Sequence, residues 1–92
     1  MSSAWCQKEG GIRTVTLPTS MSRNVSHIWN GKLYIPGHSG DILEIFDLQT
    51  ETGRTVTLLT NVGRYGSQIW NGKLYMPQNW GTALEIVDLQ LI

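Results

Sequence analysis

The chain has 92 residues and balances 7 Lys plus Arg against 7 Asp plus Glu, so it carries neither the basic stripe of a nucleic-acid binder nor a polybasic patch for an anionic membrane. A single cysteine, Cys6, excludes an internal disulfide, and the opening MSSAWCQKEGG has no basic n-region or apolar h-region of secretory type, so the sequence reads as cytoplasmic. No apolar run approaches the roughly 20 residues that span a bilayer as a helix.

Residues 1–12 read as an N-terminal tail. Cys6 has no neighbouring histidine to activate it. Ala4 and Trp5 stand 41 places before Ile45 and Phe46, a slight trace of an earlier repeat. Residues 13–17 (RTVTL) are rich in β-branched side chains and read as a strand. Residues 26–29 (SHIW) and 32–35 (KLYI) then flank Asn30-Gly31. Asn-Gly between two apolar-rich runs is a hairpin signal, because both central residues of a type I′ turn need positive φ. Pro36 closes the hairpin where a missing donor is tolerated. In residues 42–48 (ILEIFDL), Leu43 and Ile45 fall on one face and Ile42, Phe46 and Leu48 on the other, the pattern of a strand covered on both sides.

The same order then returns. Residues 54–59, 67–70, 73–76 and 83–89 repeat those four runs, with Asn71-Gly72 at the turn and Pro77 closing the hairpin. Residues 13–51 and 54–92 align at a constant offset of 41 and agree at 23 of 39 positions. A β-rich period of about 40 predicts an all-β protein built of four-stranded propeller blades. The blade repeats are 13–53 and 54–92. About three or more such units are usually needed before a continuous core exists, so two predict association with further copies.

In each copy the outer strand comes first, so the chain opens on an outer strand and its second blade is left without one. We therefore expect residues 13–17 to be donated to a neighbouring chain, closing a β-propeller as a homo-oligomer and covering an edge that would otherwise invite pairing. Propellers typically hold about 4 to 8 blades, and two per chain allow only even totals. A trimer of six blades is favoured over a tetramer of eight.

The strings WNGKLYIP and WNGKLYMP, followed by LEIFDLQ and LEIVDLQ, resemble bacterial propeller repeats of the YVTN and LVIVD kind. The likeness spans residues 13–92, and its motifs are structural. Kelch repeats look similar but carry a Gly-Gly pair absent here, and the Gly-His and Trp-Asp pairs of WD repeats are absent too. Building a ring from two-blade chains is similar to what small bacterial fucose-binding lectins do, a likeness of construction only.

Many of the 16 differences between the copies fall in residues 20–25 against 61–66, and 37–42 against 78–83. In the propellers these repeats resemble, the two connections lie on one face. Loops also diverge simply because they carry fewer packing constraints. Trp80, Asn79, Gln78 and Tyr65, with Asn24 and His38 at matching places, offer flat aromatic surface beside amide and imidazole hydrogen-bonding groups. That combination suits a sugar ring, stacked on one side and hydrogen-bonded at its hydroxyls. Arg23 and Arg64 are identical within their unlike loops; a circle of such guanidinium groups could hold a small anion, or each could bond a loop carbonyl or an acidic neighbour.

His38, Ser39 and Asp41 lie within one short loop and lack the separate elements that normally set nucleophile, base and orienter, so no catalytic residue is expected. His27 and His38 have no ligand at a recognised metal spacing, so neither a metal nor another cofactor is expected. Glu44 and Asp47, like Glu85 and Asp88, are three apart on a strand and point to opposite faces; the Asp of each pair suits a turn. Trp29 and Trp70 are expected to pack between blades. The sequence thus reads as a non-catalytic, lectin-like binding propeller. The alternatives are a protein-interaction scaffold without a small ligand and a propeller enzyme of the lyase or cyclotransferase sort.

Overall fold

The computed structural model describes residues 11–61 and 63–92, and the expectations for Cys6, Ala4 and Trp5 lie outside these residues. The described chain is all-β. Seven strands run in order: β1 (His27–Trp29), β2 (Lys32–Pro36), β3 (Ile42–Asp47), β4 (Thr52–Thr57), β5 (Gln68–Trp70), β6 (Lys73–Pro77) and β7 (Leu84–Asp88). They form two antiparallel sheets, β1-β2-β3-β4 and β5-β6-β7. Among the described residues no helix is long and apolar enough to cross a membrane.

The hairpins follow from their turn residues. Asn30 and Gly31 have φ of 51° and 77°, and Asn71 and Gly72 have 52° and 75°, the backbone of a type I′ turn matched to the strands' twist. At the β3–β4 turn the carboxylate of Asp47 accepts from the backbone N–H of Gln49 at 2.9 Å and of Thr50 at 3.0 Å. Those donors, Thr50 first and then Gln49, hold the Asp47 carboxyl below its usual range. Asp88 repeats the bond, accepting from Gln90 N–H at 3.1 Å. Both aspartates therefore organise turns, as their sequence context suggests.

The first sheet is completed across the repeat boundary. Strand β4 belongs to the opening of the second repeat, yet it pairs along the whole of β3, from Ile42 opposite Thr57 to Asp47 opposite Thr52. The second sheet has no such fourth strand among the described residues. Residues 13–17, the twin of that strand, join neither sheet. The segment lies back on its own sheet instead: Arg13 pairs with Glu51, and Pro18 sits so close to Gly53 that a Cβ there would be 2.8 Å from Pro18 Cγ.

The two sheets pack front to back. Tyr34, Leu43 and Ile45 share one face of the first sheet and form a single core with Leu74 and Met76 of the second, joined by Leu58 and Leu89. Trp29 lies at the edge of this core, its ring 3.3 Å from where a Cβ on Gly72 would stand and 6.5 Å, centroid to centroid, from Tyr34. His27 Nε2 meets Ser67 Oγ at 2.7 Å, tying β1 to the loop that enters β5. One face of the first sheet thus meets the opposite face of the second, a head-to-tail relation between two repeats of one sequence.

Candidate functional site

The segments leading into β1 and β5 and the loop after each hairpin form one row, opposite the Asn-Gly turns. Its spine is backbone. His38 N–H donates to Ser22 C=O at 2.9 Å, Arg64 N–H to His38 C=O at 2.7 Å, and Asn79 N–H to Gly63 C=O at 2.8 Å. Arg23 and Gly37 form an isolated antiparallel bridge in the same row, and Asn24 N–H donates to Pro36 C=O at 2.9 Å. Loops that differ most between the repeats are therefore held in place by groups every residue possesses, leaving their side chains free to vary.

Side chains of the row fall into two groups. His38 and Tyr65 come from different repeats and meet with ring centroids 5.0 Å apart and planes inclined by 43°. Tyr65 is 63% exposed and Trp80 76% exposed, so two aromatic surfaces face solvent on a hydrogen-bonded backbone. Gln78 N–H closes its own loop on Ala83 C=O at 3.2 Å. The side chain of Asn79 lies beside Gly63, bringing its amide to the loop that carries Tyr65. The amide nitrogen of Asn24 is enclosed with no acceptor among the described residues.

Arg23 and Arg64 belong to a different constellation, one that strand patterns did not bring out. Arg64 is fully buried; Nη1 donates to Gly40 C=O at 2.8 Å, and Nη2 to Thr60 C=O at 2.5 Å and to Thr60 Oγ1 at 2.8 Å. Glu85 Oε1 stands 3.6 Å from Nη2 and also accepts the Thr60 hydroxyl. In the first repeat Arg23 Nε donates to Glu44 Oε1 at 2.8 Å and Nη2 to Thr19 C=O at 2.6 Å, while Thr19 donates to Glu44 Oε2 through N–H at 2.9 Å and Oγ1 at 2.7 Å. The two guanidinium groups thus hold loop carbonyls and buried carboxylates, the structural one of the two roles considered for them. Burial by itself would raise the Glu44 carboxyl, but hydrogen bonds from Arg23 and Thr19 outweigh it and leave the group below its ordinary value.

The signal for this node was present in the sequence. Thr19, Arg23 and Glu44 recur unchanged as Thr60, Arg64 and Glu85, and a Thr and an Arg kept inside unlike loops together with a strand Glu point to mutual pairing. What periodicity could not supply is that a carboxylate in mid-strand is reached from a loop about 20 residues away.

His38, Ser39 and Asp41 form no hydrogen bonds with one another among the described residues. His38 engages Tyr65, and Asp41 uses its carbonyl to accept Leu58 N–H at 2.6 Å. Of the surface hollows, one of about 270 Å3 lies along the open edge of β7, lined by residues that include Leu58, Ile86, Val87 and Leu91, rather than at the loop row. Comparison with family models, curated proteins and solved structures finds no match to this chain.

Proposed function

We propose that the chain is a two-blade unit of a closed β-propeller, assembled from its own copies, that binds a small polar ligand, a carbohydrate by preference, without catalysis. The observation that carries the ligand reading is the pairing of His38 with Tyr65 at 5.0 Å, with Tyr65 and Trp80 presented to solvent beside Asn79. Large aromatic rings held open to water on a hydrogen-bonded loop backbone suit a partner with a flat apolar face. Amide and imidazole groups beside them suit its hydroxyls.

The propeller reading is supported by the way the second repeat lends β4 to the first sheet and by the head-to-tail packing of the sheets. Each repeat provides one blade, so a trimer gives six and is preferred to a tetramer of eight. A glycan array probed with the 92-residue chain tests the ligand reading. Selective signals that fall when Trp80 is replaced by Ala support it; uniform silence favours a scaffold that presents the same face to a protein. Native mass measurement tests the ring, for which a single-chain mass at micromolar concentration is the adverse result.

A further inference from the structure

We propose that residues 12–16 of a second copy add as a fourth strand to β7, and that Arg23 of that copy enters the loop formed by residues 78–81. The inference rests on the assembly just proposed and assigns its register and contacts.

Equivalent residues in the two sheets have opposite fates. Leu43 and Ile45 are 0% and 2% exposed, whereas their counterparts Leu84 and Ile86 are each 51% exposed. Trp29 packs over Gly72, while its counterpart Trp70 stands 69% exposed and Gly31, the counterpart of Gly72, has open space above it. Near-identical sequence excludes a difference in intrinsic preference. What differs is the neighbour: the first sheet has another sheet in front of it and a strand along its edge.

The missing strand is carried by the chain. Residues 13–17 repeat the RTVTL of residues 54–58 and pair with no strand among the described residues, and the hollow along β7 lies where a fourth strand would run. Moving the β3–β4 register by one repeat on each side sets Val15 of the second copy opposite Leu84, Thr14 opposite Glu85 and Arg13 opposite Ile86. Among the described residues the ion pair this segment must surrender is the exposed Arg13–Glu51 contact, a kind that contributes little.

The polar contacts transfer in the same way. Within the chain, Arg64 reaches across to Gly37 C=O and Gly40 C=O of the preceding repeat, and its N–H extends the loop row to His38. Arg23 is 32% exposed and bonds only within its own repeat among the described residues. Its Nη1 is placed to take Gln78 C=O and Gly81 C=O of the other copy, and its N–H the C=O of Asn79. Such head-to-tail contacts, repeated, close into a ring when the rotation per unit allows.

Paired cysteines test the register in the full 92-residue chain with Cys6→Ser. Val15→Cys with Leu84→Cys places directly opposed Cα atoms within disulfide reach, so mild oxidation is expected to give covalent multimers on a non-reducing gel. Thr14→Cys with Leu84→Cys, slipped by one residue onto the opposite face, is expected to lose that product. Val15 is exposed in the single chain, so Val15→Asp is expected to leave circular dichroism intact and reduce the native mass to one chain. An intrachain disulfide, equal cross-linking by both pairs, or a Val15→Asp variant with unchanged oligomeric mass overturns the proposal. Cross-linked rings that are silent on glycans remove the ligand reading alone; a wild-type chain of single mass removes the assembly itself.

Discussion

The guanidinium of Arg64 donates to the carbonyl of Gly40 at 2.8 Å, and through that bond the loop entering the second sheet is fastened to the loop leaving the hairpin of the first. The same side chain holds Thr60 and stands beside Glu85. One buried cation therefore joins three segments: a hairpin loop, a crossing loop and the edge strand β7. Its apolar counterpart is the core of Leu43, Ile45, Leu58, Leu74 and Met76.

Removing this cation takes the positive charge away from the buried Glu85 carboxylate, which keeps its donors Leu59 and Thr60, and takes the guanidinium donor from the carbonyls of Gly40 and Thr60. Arg64→Ala is expected to destabilise the chain by about 3–5 kcal/mol, the range for breaking one side of a buried ion pair. In the single chain, where its pair is partly exposed, Arg23→Ala is expected to cost about 1 kcal/mol or less. Urea unfolding followed by tryptophan fluorescence reads both, and equal losses would place the burial difference between the two sites in error.

Glu44 makes the fold sensitive to acid. Its carboxyl is held below the ordinary glutamate value of 4.5 in the folded chain, so the folded state binds that proton less readily than the unfolded one. The resulting stabilisation is complete above the unfolded value and is lost as pH falls from about 4.5 through the folded value. Urea midpoints measured from pH 6 to pH 3 should therefore decline. Glu44→Gln should make the decline shallower, whereas an unchanged slope would assign it to other carboxylates.

The two Asn-Gly turns separate backbone strain from packing. Gly31 and Gly72 have nearly the same positive φ, 77° and 75°, but a Cβ on Gly31 meets nothing within 4 Å, while one on Gly72 stands 3.3 Å from Trp29 Cζ2 and from Gln90 Nε2. Gly31→Ala is expected to cost roughly 1–2 kcal/mol for a left-handed residue. In the single chain Gly72→Ala should add roughly 1 kcal/mol or more for crowding. Equal midpoints for the two variants would show that Trp29 yields freely.

On the loop row, Trp80→Ala and Tyr65→Ala should each weaken carbohydrate binding by roughly 3- to 10-fold, the loss of one aromatic contact of about 0.5–1.5 kcal/mol. Titration by calorimetry against a glycan that scores on the array measures this. Both residues are exposed, so unfolding midpoints should stay near those of the parent chain.

The repeat, the hairpins and the strand order were legible because they depend on neighbours in sequence. Asn-Gly sets positive φ on its own, alternation assigns faces, and β2 through β7 lie within about two residues of their expected bounds. Residues 13–17 have the composition of a strand but no partner in the described chain, since a strand needs a ladder and composition cannot supply one. Arg64 was visible as a repeated charge. That it is enclosed against Gly37 and Gly40, and its twin Arg23 is not, depends on which sheet stands in front of which.

Sequence alone determined that two copies of one β unit follow each other, with matched turns and unlike loops, because local backbone preference and side-chain period are written residue by residue. Only the tertiary structure decided the fate of each copy. It buried Leu43 and left Leu84 open, sealed Arg64 and left Arg23 at a rim, and brought His38 to Tyr65. Identical residues diverge in this way because burial and pairing belong to the contact between units, which the first sheet makes with the second and the second offers onward.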